Sequence, residues 1–328
     1  MRNIVKILAG GVAIAVMSLS SSAAFAQDKV ELIYSDTVPE SDIRSVTLKK
    51  EFGECLGDGF EFKPYFGATL FKQGTELTAM QRGNLDMAAL AVYDFYNQVP
   101  HTAILGTAYL YKDYDHLRRV WASGVLDDLA QEVEDKAKVK ILANPYIGTR
   151  HVNIKGDKKV MTPADLDGVK LRMPGGEGWQ FVGEALGANP TPLAFTEVYT
   201  ALQTGAIDGQ DNPLPADKAM KFYEVTDQII LTGHLVANNQ FSISLSKWDS
   251  MNGEQQAKVQ ECAANFEKAL DKITLDQEAE LVDFFKGEGL DIYEPDKEAF
   301  RNHVIDAYKN SKYSEDWPEG LIDKISAL

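Results

Sequence analysis

The sequence predicts an α/β protein of two domains, and three observations carry that prediction. From Val30 to Val92 the signals alternate as strand, helix, strand, helix, strand, the pattern of an open, largely parallel sheet with helices on its faces. After Gly148 the composition changes to short strands and loops, which places a first crossing between domains there. Gly253 to Lys286 then runs without Pro or internal Gly, an amphipathic helix long enough to lie along the backs of both domains and to bend.

The first domain opens with Val30–Ser35, which alternates as a strand, and a loop ending at Pro39. Asp42 to Leu56 reads as a helix stopped by Gly57 and Gly59, and Phe60–Tyr65 as a second strand. Thr75 to Gly83 is a compact helix with a Thr start, Leu77 and Met80 three apart, and a Gly stop. Asp86–Val92 is a continuously apolar, buried strand; Asp113–Lys138 is helical with a break near Gly124; Val139–Tyr146 is another strand.

Beyond the crossing, Thr162-Pro163-Ala164-Asp165 combines a cap, a Pro at the first helical position and an acid in the first turn. It opens one helical turn before a Leu171-Arg172 strand. Gly178–Leu186 is a helix ended by Gly187, and Thr196–Thr204 is one capped by Thr196 and closed by Gly205. Gln228–Thr232 and Asn239–Ser246 are strands, the second returning to the first domain. Asp296–Asn310 and Trp317–Ala327 are terminal helices.

Residues 1–26 read as a cleaved export signal: Arg2 and Lys6, an apolar stretch from Ile7 to Leu19, then Ala24-Phe25-Ala26 as a small-x-small cleavage site. The apolar stretch is short for a membrane span. Export makes the periplasm the expected location. The remaining chain, roughly 300 residues, is long enough for two cores. The net charge is −16, and loss of Arg2 and Lys6 with the leader takes it to −18. That argues against nucleic acid as a partner, because phosphate binding needs a basic face. A small anionic ligand stays compatible, since screening limits surface charge to about 8–10 Å and buried arginines can dominate locally. The two cysteines, Cys55 and Cys262, can form a disulfide in an oxidising compartment; two buried free thiols are the alternative.

Enzyme signatures are missing. The chain has no Gly-x-Ser-x-Gly elbow, Walker A loop, dinucleotide glycine fingerprint or His-Glu-x-x-His helix. Its five histidines are scattered without ligand spacing, and only His151, beside Arg150, stays near a candidate site. Asp208 and Asp211 are three apart, yet Asp208-Gly209 reads as a turn and Asp211 as a residue that orients neighbouring backbone. No catalytic group, cofactor or metal ion follows from these residues.

Binding is the stronger reading. Arg172 ends a short strand, where the clefts of open α/β sheets lie, and Pro174-Gly175-Gly176 after it lets backbone approach a ligand. A guanidinium fork suits a carboxylate or another oxyanion. A surface salt bridge is the competing role. Arg150 also follows a strand, Asn212 has an amide that can donate to an oxyanion, and Phe195 can wall a pocket or sit in the core.

These blocks resemble one family. Gly148-Thr149-Arg150, Leu171-Arg172-Met173-Pro174, Gly187 through Phe195, Glu197-Val198-Tyr199 through Gln203, and Asp208-Gly209-Gln210-Asp211-Asn212-Pro213 are similar to the solute-binding subunit of tripartite ATP-independent periplasmic (TRAP) transporters, the DctP-like family. Glu76-Leu77, Met80, Gly83, Asp86-Met87 and Lys221 to Val225 extend the match over nearly all of the exported chain. The resemblance implies a two-domain periplasmic binding protein fold with a cleft between domains and a long helix spanning both. It implies domains of 27–148 plus about 237–278, and 149–236 plus about 279–328. It implies that Arg172 grips the ligand carboxylate, that Arg150 and Asn212 support the same end, that Phe195 is an aromatic wall and that Gly176 offers backbone. In the first domain, Asp36, Glu40, Leu90 and Tyr93 are the candidate contacts, with Trp179 stacking on the ligand or packing between helices. Ala91 stands where sialic-acid-binding members carry an acid, which weakens that substrate. The implied solute is a hydroxy- or keto-acid, dicarboxylate or sugar acid, with a sulfonate as a variant. The implied partners are the small and large membrane subunits of a transporter, and the chain itself is expected as a monomer. A sensor of the same fold that presents an acid to a membrane kinase is the rival, followed by an enzyme on a closing scaffold.

Overall fold

The computed structural model describes residues 29–328, so the expected leader at 1–26 lies outside the described residues. Strand β1 (Val30–Ser35) pairs in parallel with β2 (Phe60–Tyr65), Val30 opposite Phe60. Between them α1 (Ile43–Thr47) starts at Asp42, whose carboxylate accepts the Arg44 amide at 2.9 Å. The helical path continues in wider π-type turns through Glu54. Helix α2 (Glu76–Gln81) leads into β3 (Met87–Leu90), parallel to β1. Helices α3 (Tyr114–Ala122) and α4 (Asp127–Ala137) flank the expected break and precede β4 (Val139–Ala143).

The chain then changes sheets. Strand β5 (Tyr146–Ile154) is a full nine-residue strand, longer than the short strands and loops expected after Gly148. It belongs to a second sheet with β6 (Lys170–Met173), β7 (Asn189–Pro192), β8 (Gly209–Pro213), β9 (Gln228–Asn238) and β11 (Asp291–Tyr293). Helices α5 (Glu177–Ala185), α6 (Val198–Thr204) and α7 (Leu214–Ala219) connect these strands. Helix α6 starts at Val198, after a separate 3₁₀ turn over Phe195–Glu197, so Thr196 is not its cap. The Gln228 strand runs on to Asn238, past Gly233, where Thr232 was expected to end it.

Strand β10 (Gln240–Ser244) carries the chain back into the first sheet, whose order is β2-β1-β3-β10-β4. It is antiparallel to both β3 and β4, so this sheet is mixed, not parallel throughout. The reason is the route of the chain: β10 enters this sheet from β9 of the second sheet through Asn239 alone, so that crossing, and not a helical crossover within the first sheet, sets its direction. The second sheet, ordered β11-β9-β5-β8-β6-β7, is mixed as well, with β5 antiparallel to β8 and β9.

After α8 (Leu245–Ser250), helix α9 (Gly253–Gly287) is 35 residues long, roughly 50 Å at 1.5 Å per residue. Its first half packs Val259, Cys262, Phe266 and Leu270 under the first sheet, and Cys262 is bonded to Cys55 there. Its second half packs Leu281 and Phe285 under the second sheet. Between them, two acids fasten the helix to the crossing strand. Asp271 accepts the Tyr146 amide at 2.7 Å, and Glu278 accepts the Thr149 amide and the Tyr146 hydroxyl, each at 2.6 Å.

The chain ends in α10 (Lys297–Lys309), α11 (Lys312–Glu315) and α12 (Leu321–Ser326). Residues 279–328 were expected with the second domain, yet the last of them bond to α3 of the first. His116 contacts the Ile325 carbonyl at 2.8 Å, and Lys112 and Arg119 donate to the carbonyls of Ser326 and Leu328. One continuous core therefore runs from Leu77 and Tyr93 through Trp179 to Phe300, Tyr308 and Ile325.

Candidate functional site

A cleft of about 350 Å³ lies between the two sheets, lined from both. The second domain supplies Arg150 from β5, Arg172 from β6, Asn212 from β8, Phe195, and the turn from Pro174 to Gly176 with Trp179 behind it. The first supplies Asp36, Arg44, Gln73, Glu76, Ala91, Tyr93, Asp94 and Asn97; Asn239 lies where β9 passes into β10.

Arg172 heads the largest fully buried side chains, at 1% exposure. The parallel β6 strand delivers it to the cleft, and Phe195 lies beside it with the guanidinium carbon 5.8 Å from the ring centre. Its Nε donates to the Leu193 carbonyl at 2.9 Å and its Nη2 to Gln73 Oε1 at 3.2 Å, both neutral acceptors. Among the described residues it forms no ion pair. Burial pulls its pKa down to about 9; Asp211 opposes that pull and Arg150 reinforces it. The group is charged at pH 7, and a buried cation without a counter-ion is costly unless an anion joins it.

Arg150 is different. Its Nε and Nη2 donate to the two Asp211 carboxylate oxygens at 2.7 and 2.9 Å, and Nη2 also reaches the Asp211 carbonyl at 2.6 Å. His234 Nε2 lies 3.0 Å from the same carboxylate. Burial alone would raise the Asp211 pKa, but Arg150 and His234 hold it well below the usual range. Arg150 is thus neutralised in place, its guanidinium carbon 4.9 Å from the Trp179 ring centre. Asp211, read as a backbone organiser, is the counter-ion of this cation.

Asn212 lies within β8. Its amide donates to Gln210 Oε1, and the rest of that amide is left for the cleft. Gly176 has φ +102°, a conformation that favours glycine, and it opens α5 with its backbone facing the cavity. Trp179 both packs and lines: it meets Tyr93 edge-on with ring centres 5.2 Å apart. Tyr93 touches the cleft only with its ring, because its hydroxyl donates to the Gly106 carbonyl at 2.8 Å, away from the cavity. The ring lies so close to Gly178 that a Cβ there would sit 2.2 Å from it.

In the first domain, Asp36 lines the cleft, but its oxygens already accept from the Tyr34 hydroxyl and the amides of Thr37 and Val38. Burial raises its pKa. Two expected contacts, Glu40 and Leu90, and His151, expected near the site, do not line the cleft. Glu40 is exposed and paired with Lys49 at 2.8 Å, outside the cleft. Leu90 points into the core, because strand alternation turns Ala89 and Ala91 to the cavity instead. His151 faces the opposite side, where it accepts the Gly233 amide at 3.1 Å; burial lowers its pKa to about 3.

Sequence reasoning missed Arg44, Gln73, Glu76, Asp94, Asn97 and Asn239. Arg44 grips Asp42 with two hydrogen bonds of 2.8 and 2.7 Å. Glu76 is 7% exposed at the start of α2, and burial, then Asp94 and Asp36, push its pKa up to about 8. Burial also raises Asp94, to about 6. Glu76 had a local signal, an acid in the first turn of the expected helix, which reads equally well as a capping residue; Asp94, just past the expected strand, had none. Gln73, in a loop, had none.

The arrangement can hold one anionic group at Arg172, beside Arg150 and Asn212, and hydrogen-bond hydroxyls opposite them. Among the described residues no group of three His, Cys, Asp or Glu could hold a metal ion, and no helix is long and apolar enough to cross a membrane.

Residues 37–315 match the family model DctP, described as bacterial extracellular solute-binding protein, family 7. The sialic acid-binding periplasmic protein SiaP of Vibrio cholerae is 30% identical over 319 residues, covering 97% of this chain and 98% of that protein. A TRAP periplasmic solute-binding protein of Roseobacter denitrificans, solved with bound 3-deoxy-D-manno-oct-2-ulosonic acid, superposes with a TM-score of 0.90 at 44% identity, covering 92% of this chain and 99% of that one. A second protein from that organism, solved with L-galactonate, gives 0.83 at 28% identity, covering 92% and 99%.

Proposed function

The chain belongs to family 7 of the bacterial extracellular solute-binding proteins, and from that premise we propose that it is the periplasmic receptor for a sugar acid, which it hands to the membrane subunits of a TRAP transporter. The observation that carries this reading is Arg172: a buried, charged guanidinium, held only by neutral acceptors and facing a cavity. A ligand carboxylate completes it. Arg150 and Asn212 stand beside the same end, but Arg150 contributes less net attraction because Asp211 already balances it.

The other end of the cleft favours hydroxyls. Glu76, Asp94 and Asp36 present buried carboxyl groups, with Asn97 and Asn239 nearby. A polyhydroxylated tail can donate to these oxygens, whereas a second carboxylate would meet the Asp94 carboxylate, raised only to about 6 by burial, in a low-dielectric site. That discriminates a sugar acid from a dicarboxylate. The relatives support the class, since they are named or solved with sialic acid, an octulosonic acid and an aldonate. The volume of about 350 Å³ falls in the range of small-molecule sites, which run from about 300 Å³ upward. No bond of the ligand needs to break: the chain supplies binding and closure, and a solute recovered unchanged separates this reading from an enzyme.

The test is a thermal-shift panel of aldonates, uronates, ulosonates, dicarboxylates and sulfonates, with mass spectrometry of any ligand that co-purifies. Stabilisation by sugar acids is expected. Stabilisation by dicarboxylates or sulfonates alone would overturn the assignment.

A further inference from the structure

We infer that Gln73 is a specificity-determining positioning residue, a neutral stand-in for a counter-ion that clasps Arg172 across the cleft while leaving its charge for the ligand. The inference rests on the sugar-acid reading above and goes beyond it to a residue of the first domain.

Gln73 lies in the loop before α2, and its Oε1 receives two donors from the second domain. One is Arg172 Nη2 at 3.2 Å; the other is the Phe195 backbone amide at 2.8 Å. A guanidinium N–H and a backbone N–H converging on one oxygen are a pair of donors, one of them cationic, that suits an anionic acceptor. Here the oxygen belongs to an amide. The choice has three physical consequences.

The first concerns charge. A carboxylate at position 73 would pair with Arg172 permanently, as Asp211 pairs with Arg150. An incoming carboxylate would then gain little, because the cation would already be balanced. The amide satisfies the hydrogen bonds and supplies no charge, so the attraction persists for an anion. The second concerns the alternative of an apolar side chain. It would leave the Phe195 amide and one guanidinium edge without acceptors in a site of low dielectric, which is costly. The third concerns geometry. The bonds join the two domains, so they form only when the domains are as close as they are here. Ligand capture at Arg172 and closure by the first domain therefore meet at one oxygen. The Gln73 amide, which lines the cavity, also has its N–H₂ group available to the ligand.

The test compares Gln73→Glu and Gln73→Met with the wild type by thermal unfolding and isothermal titration, with 3-deoxy-D-manno-oct-2-ulosonate as the probe. For Gln73→Glu the expected result has opposite signs in its two arms. The ligand-free Tm rises, because the new carboxylate neutralises Arg172, and Kd rises at least 100-fold. Gln73→Met weakens binding about tenfold without raising the ligand-free Tm. A residue that only braces its loop would lose stability in both variants and could not give that pairing. A ligand-free Tm for Gln73→Glu at or below the wild type, or a Kd within threefold of it, would overturn the inference. If the wild type itself responds to no sugar acid, the functional reading fails separately, and the ligand-free arm still decides the role of Gln73.

Discussion

Replacing Arg172 by Met separates a binding cation from a structural one. The substitution keeps most of the apolar stem beside Phe195 and removes the guanidinium. In the ligand complex it leaves a buried carboxylate without its partner, a loss of about 2–5 kcal/mol. At about 1.4 kcal/mol per decade that is roughly 30- to 4,000-fold in Kd. The ligand-free protein should respond in the other direction. Among the described residues Arg172 has no counter-ion, so removing it relieves a buried charge at the cost of two hydrogen bonds to neutral acceptors. Its Tm should stay within a few degrees of the wild type or rise. Arg150→Met is the control, because it strands Asp211 with only His234 at 3.0 Å. Breaking such a buried pair costs about 3–5 kcal/mol, so that variant should be markedly less stable without ligand. Calorimetric titration with a responding sugar acid and thermal unfolding without it read both quantities. If Arg172→Met unfolds as early as Arg150→Met, or keeps its affinity, Arg172 is a structural residue and the assignment of the anchor fails.

The pH dependence of stability has a defined sign. Glu76 keeps its proton to about pH 8 in the folded state and releases it near 4.5 unfolded, so folding takes up a proton between those values. That contribution is lost as pH rises from about 4.5 to 8, on the order of a few kcal/mol. Denaturant titrations of the wild type and Glu76→Gln at pH 5 and pH 9 measure it, and equal differences for the two proteins would refute it. Gly178→Ala should weaken ligand binding about tenfold or more, since its Cβ would meet the Tyr93 ring at 2.2 Å and push the domains apart; unchanged affinity by titration would show that the ring gives way freely. Glu40→Gln should leave Kd within twofold, as Glu40 is exposed on Lys49. Removing the Cys55–Cys262 bond by a double Ser substitution should cost about 2–5 kcal/mol, because it closes a long loop; thermal unfolding checks this, and an unchanged Tm would refute it.

Local signals carried much of the fold. The caps, glycine stops and apolar alternation of residues 30–92 specify their own strands and helices, and the unbroken run from 253 specifies α9. What local signals miss is direction and continuity. A strand's sense in a sheet depends on how the chain arrives, and β10 arrives from the other domain through one residue. The Gln228 strand was expected to stop at Thr232, but β9 continues because β5 pairs with it on both sides of an irregularity around Gly233, Val152 opposite Ile230 and Arg150 opposite Leu235. The terminal helices look like an appendage of the second domain and are held to α3 by carbonyl contacts that no pattern encodes.

The site divides the same way. Arg172, Arg150, Asn212, Phe195 and Gly176 each sit in a motif of the sequence and all line the cleft, so the sequence by itself pointed to side chains suited to an anion. Only the tertiary structure decided what each is free to do. Two arginines of the same type, 22 positions apart in the sequence, differ because β8 lays Asp211 beside one and a first-domain loop lays Gln73 beside the other. The charge available to a ligand is set by neighbours that folding supplies, and those neighbours are distant in the chain.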